Sequence, residues 1–77
     1  MKLKSPARLK EALIKEHVAV SNGTARLRNL LDNEELTDQI PLEHLDLLWM
    51  QYHGMRIYEH ALVMRIRFLD EQEGSEE

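Results

Sequence analysis

The stretch LDLLWMQYHGMRIYEHALVMRIRFL, residues 45–69, decides the fold. Within it Leu45, Leu48, Tyr52, Met55, Glu59, Leu62, Ile66 and Leu69 recur at alternating intervals of three and four. That is the heptad seam of a helix lying along another helix, and no strand-like alternation competes with it. Leu47, Met50, Gly54, Ile57, Ala61, Met64 and Phe68 repeat the same intervals on roughly the opposite side. One neighbouring helix covers one such face, so a helix apolar on two sides must be buried on both. Gly54 and Ala61 are small enough for another helix to approach closely. The second face is therefore the expected interface of a homo-oligomer. The alternative is an exposed, adaptable groove, a use to which methionine-rich faces lend themselves.

The partner for the first seam lies upstream. Leu9, Leu13, Glu16, Val20, Gly23, Leu27 and Leu30 also alternate by four and three. Folded back antiparallel, Leu27 meets Leu48, Val20 meets Met55, Leu13 meets Leu62 and Leu9 meets Ile66. In this register Gly23 makes room for the Tyr52 ring, and Glu16 and Glu59 share one layer. The expected fold is all-α: an antiparallel helical hairpin of two long helices, assembling into an oligomeric helical bundle.

The boundaries follow from local chemistry. Ser5 reads as an N-cap with Pro6 at the first helical position. Helix one is expected over about residues 6–32. Its weak point is Ser21-Asn22-Gly23-Thr24, four poor helix formers in a row, where it can kink near Gly23. Residues 33–40 read as the connection. Pro41 is tolerated only in a first turn, so helix two is expected over about 41–70. The domain spans 1–70, and the acidic residues 71–77 read as a disordered tail.

A chain of 77 residues makes one domain. It buries only roughly 60% of the surface its unfolded form exposes, so its own core is marginal. It contains no cysteine, which removes disulfides and thiolate metal sites and suits a reducing cytoplasm. The net charge is −4 and lacks the basic footprint of a DNA- or RNA-binding protein. No apolar run follows the basic start, so a secretory leader is not expected. The longest strictly apolar run, Leu47 to Met50, is far too short to cross a membrane. The expected location is the cytoplasm, that of the host cell if a phage encodes the chain.

Two polar ridges remain on helix two. His44, Gln51, Tyr58 and Arg65 stand seven apart, between the two apolar seams. Asp46, Trp49, His53, Arg56, His60, Val63 and Arg67 form the second, more exposed ridge. Arginine makes paired contacts to phosphate, tyrosine or tryptophan gives a base a stacking face, and glutamine reads a base edge. Gln51, Tyr58 and Arg65, assisted by His44 or Arg56, are the candidate ligand-binding residues. Alternatively, Gln51, Tyr58 and Arg65 hydrogen-bond across a subunit interface, and the second ridge is a solvated helix face. No catalytic residues are assigned. The Glu16/Glu59 pair is an acid–base motif in principle, but carboxylates at a seam edge more simply pair with Lys15, Arg56 or a neighbouring subunit's arginine. No cofactor or metal is expected. His53 and His60 lie two turns apart, too far to chelate one ion, although His17 can approach His60 across the hairpin.

Helix two, as Leu47-Leu48-x2-Gln51-x3-Met55-x2-Tyr58-x3-Leu62-x2-Arg65-Ile66, resembles a family of small phage proteins named for the crAss-like bacteriophages. Arg8, Glu11, Leu27, Leu30, Leu31 and Leu36 extend the resemblance over about residues 8–66. It departs at Glu16 and Gly23. The resemblance implies phage origin and a helical hairpin, and supplies no reaction. By analogy at the level of fold only, some oligomeric phage hairpins act as sponges that hold cyclic nucleotide immune signals between subunits. The leading expectation is such a non-enzymatic anti-defence protein, acting by nucleotide sequestration. The alternatives are a protein–protein inhibitor of a host defence or regulatory factor, and a structural oligomer of the virion.

Overall fold

A computed structural model describes residues 6–75, and the side chains of residues 7–72. Helix α1 runs from Pro6 to Leu31, a short helix α2 from Glu34 to Thr37, and helix α3 from Leu42 to Ser75. Helices α1 and α3 pack along each other as an antiparallel hairpin, as the two seams require. The expected Ser5 cap and the acidic residues Glu76 and Glu77 lie outside the described residues.

The turn is built from capping chemistry. The Asn33 side chain accepts from the Leu36 backbone N–H at 3.3 Å and so caps α2. Glu34 and Glu35 in its first turn suit the helix dipole. The Pro41 carbonyl accepts from the Leu45 N–H at 2.9 Å, opening α3 where a missing proline N–H matters least. At its far end α3 passes residue 70 and continues to Ser75, longer than the sequence reading placed it. Glu71, Gln72 and Glu73 are good helix formers, and Gly74 falls in the last turn, where its low propensity interrupts little.

Helix α1 passes through Ser21–Thr24 without a break. Thr24 is buried, and its hydroxyl donates to the Val20 carbonyl at 2.8 Å, so its polar atom is satisfied inside the helix. Gly23 faces α3, but not at the expected residue. A Cβ built at Gly23 would lie 3.1 Å from the Met55 terminal methyl, so the glycine makes room for Met55 rather than for the Tyr52 ring. Tyr52 instead places its hydroxyl within reach of Arg28 and Arg56. Gly23→Ala is expected to stabilise the hairpin by about 0.5–1 kcal/mol, since helix propensity rises while a flexible methionine tip yields a few tenths of an ångström. Thermal unfolding at low protein concentration measures it, and a lower midpoint than wild type would contradict it.

The core is one thin layer. Leu13, Leu62 and Leu69 are buried, with Leu9, Val20 and Ile66 packed against them. The molecule extends 56 × 18 × 15 Å with a radius of gyration of 17.1 Å. A compact chain of this length would have about 11.5 Å. A rod this narrow buries little, and the face of α3 opposite α1 shows the consequence. Leu47 is 60%, Met50 68% and Ile57 72% exposed, and Met64 and Phe68 are also exposed. Nothing lies within 4 Å of a Cβ placed at Gly54. Among the described residues, no helix is long and apolar enough to cross a membrane.

Candidate functional site

The two polar ridges of α3 lie on different flanks of the hairpin. Gln51, Tyr58 and Arg65 follow one line beside the exposed apolar face, with His44 on the same line near the start of the helix. All four are exposed. The Tyr58 hydroxyl donates to the Glu16 carboxylate on α1. That contact raises the Tyr58 pKa above the ordinary 10.0, with burial adding to it and Arg65 pulling the other way. Arg65 also lines an apolar groove of about 320 Å³ with Leu9, Leu13, Met64, Phe68 and Leu69. This flank thus joins a cation and a phenol to greasy surface.

Arg56 does not join this flank. It lies about 160° around the helix from Tyr58 at ~100° per residue, and its Nη1 donates to the Tyr52 hydroxyl at 3.1 Å. Arg28 of α1 reaches the same oxygen at 3.5 Å through its own Nη1. The Arg28 Nε is held by Asp32 at 3.1 Å, and that hydrogen bond raises the Arg28 pKa. Arg28 lies 5.6 Å from the Tyr52 ring centroid and 6.0 Å from that of Trp49. Trp49 stacks on His53 at 5.9 Å and meets Tyr52 edge-on. Sequence reasoning placed Trp49, His53 and Arg56 on one ridge but missed Arg28. Arg28 sits beside Leu27, two residues before the end of the first seam, and that position carried no signal until the register of α1 on α3 was known.

Beside this cluster, Ser21, Thr24, Ala25, Arg28, Tyr52, Arg56 and Glu59 line a cleft of about 280 Å³. A neighbouring cleft of about 200 Å³ is lined by His17, Arg56, Glu59, His60 and Val63. His17 and His60 therefore do approach one another, but no group of three potential metal ligands forms among the described residues. Glu16 and Glu59 take separate roles: Glu16 holds Tyr58, and Glu59 stands where the two clefts meet. At the far end of the hairpin Lys10 pairs with Asp70.

The two tyrosines are shifted in opposite directions. The Arg56 hydrogen bond lowers the Tyr52 pKa below 10.0, against burial and with help from Arg28. Absorbance titration should therefore show Tyr52 ionising first, and Tyr58 after the ordinary tyrosine value is passed. Arg56→Gln is expected to move only the first step upward, and Glu16→Gln only the second step downward. A single unsplit step in the wild type would contradict both contacts.

Residues 7–68, most of the chain, match the family model described as Sequestin. No curated protein and no solved structure matches the chain.

Proposed function

We propose, from the premise that the chain belongs to the Sequestin family, that it is a non-catalytic binding protein that captures and holds a small ligand. The family's name describes sequestration, and a sequestering protein needs tight burial of its ligand rather than turnover. In this reading the ligand is a cyclic nucleotide immune signal, and the protein is a phage anti-defence factor acting in the host cytoplasm. Copies associate through Leu47, Met50, Gly54, Ile57, Ala61, Met64 and Phe68. The line of Gln51, Tyr58 and Arg65, with His44 at its end, then borders the subunit interface and clamps the ligand there.

The observation that carries this reading is the exposed apolar face of α3 with an arginine and a tyrosine along its edge. Association would cover the face and give depth to a ridge that is shallow on one hairpin. The test is a thermal-shift panel of cyclic di- and trinucleotides and cyclic ADP-ribose isomers, with mass by light scattering in parallel. A stabilising ligand whose effect is lost in Arg65→Ala supports the reading. No shift with any of the panel overturns the nucleotide assignment.

The groove between Leu9, Leu13, Met64, Phe68 and Leu69 favours a second reading, an inhibitor that grips an apolar side chain of a host protein. One stoichiometric host partner in a pull-down, with a monomeric free protein, would support that reading over the first.

A further inference from the structure

We propose that the cleft between Arg28 and Arg56, floored by Tyr52, is an oxyanion site of the phosphate class, separate from the Gln51–Tyr58–Arg65 ridge. It needs only α1 packed on α3, so it stands whether or not copies associate.

The argument starts from charge. Two guanidinium groups donate to one phenolic oxygen, at 3.1 and 3.5 Å. Like charges held this close repel each other, and an anion between them relieves the repulsion. Each guanidinium has five N–H donors, and these contacts use few of them. The groups are also held in place. Asp32 fixes Arg28 from behind, Trp49 and Tyr52 lie beside it, and Tyr52 itself is only 5% exposed. Among the described residues Arg56 has no carboxylate partner. Ser21 adds a hydroxyl to the wall, and the Thr24 oxygen keeps a lone pair after donating to Val20.

Size and sign narrow the ligand. A cleft of about 280 Å³ falls just below the ~300–1,000 Å³ range of pockets that enclose a whole drug-sized molecule. It suits one phosphoryl group and its immediate substituent. Glu59 at the rim penalises a second negative charge on that side and accepts from a hydroxyl or amine instead. The site therefore favours a single phosphoryl group over an extended polyanion.

Trp49 is the chain's sole tryptophan and lies beside Arg28, so its fluorescence reports occupancy. Inorganic phosphate, pyrophosphate and dimethyl phosphate are titrated at constant ionic strength set with chloride. A saturable change with at least one of them is expected. The monoester-like and diester-like probes distinguish a terminal phosphate from a bridging one. Arg28→Gln and Arg56→Gln should each weaken binding about tenfold or more, the scale of a lost charge-assisted contact. Glu59→Gln should tighten it, and Arg8→Gln, at the far end of the hairpin, should leave it unchanged. Circular dichroism checks that each variant folds. If Arg28→Gln does not, Arg28→Lys retains the charge without the planar fork and should still weaken binding. A response no different from that to chloride, or equal losses in the Arg28 and Arg8 variants, overturns the site. Neither result would touch the association of copies, which light scattering reads separately.

Discussion

Under the proposed association of copies, Ile57→Asp is expected to leave a folded monomer. Ile57 is 72% exposed on the isolated hairpin and lies outside the buried layer of Leu13, Leu62 and Leu69, so the substitution removes little from the fold itself. Its effect falls on association. Leu47, Met50, Ile57, Met64 and Phe68 are 47–72% exposed, and each is worth about 1 kcal/mol on burial. A symmetric pair of copies buries the set twice, for about 10 kcal/mol gross. Association costs about 4–15 kcal/mol in lost freedom, so the net is finely balanced. Symmetry places two aspartates near the centre of the interface, and burying either without a partner costs several kcal/mol. Light scattering should fall to the mass of one chain while the helical circular dichroism persists. Gly54→Ala refines the test. With open space around Gly54, alanine should strengthen a dilute hairpin through helix propensity yet weaken association, because its methyl group holds the second helix away. A wild-type chain that scatters as a monomer at high concentration would remove the basis of both expectations.

The hairpin was legible because two heptad seams of matching length must find each other, and the same count exposed the leftover face of Leu47 through Phe68. What could not be read was the fine register. Heptad spacing names the layers but not which side-chain tip fills the space beside Gly23, and there the Met55 methyl lies nearest while the Tyr52 hydroxyl meets Arg28 and Arg56. The candidate site shows the same division. Heptad spacing correctly aligned Gln51, Tyr58 and Arg65 along one edge. Arg56 had been grouped with them by chemistry alone, although two residues' displacement along a helix turns a side chain to a different flank. Arg28 was invisible because its meeting with Tyr52 is a property of how α1 lies on α3. The run Ser21–Thr24 misled in the opposite sense. Local propensity predicts weakness there, but packing of the hairpin, with Thr24 buried and its hydroxyl satisfied by Val20, keeps the helix continuous.

Leu62→Ala should do to the fold what Ile57→Asp does to the assembly. Leu62 is 0% exposed and is the largest fully buried side chain of the hairpin, touching the layer formed with Leu13 and Leu69. Leucine-to-alanine changes at such sites cost about 2–5 kcal/mol, set by how far the surroundings can collapse. Two helices joined at one end can close partway, so about 3 kcal/mol is expected. A domain of this length has about 4–12 kcal/mol to lose, and the thin core places this one toward the low end. The melting temperature should drop by more than about 10 °C, at ~4–8 °C per kcal/mol for a domain of this size. Under the proposed association, which links only folded hairpins, the drop should shrink as protein concentration rises and be greatest in the Ile57→Asp background. That dependence separates a core defect from an interface defect. A loss below about 1 kcal/mol in the monomeric background would mean that the Leu13–Leu62–Leu69 layer is not what joins α1 to α3 in solution, and the cleft between Arg28 and Arg56 would lose its scaffold with it.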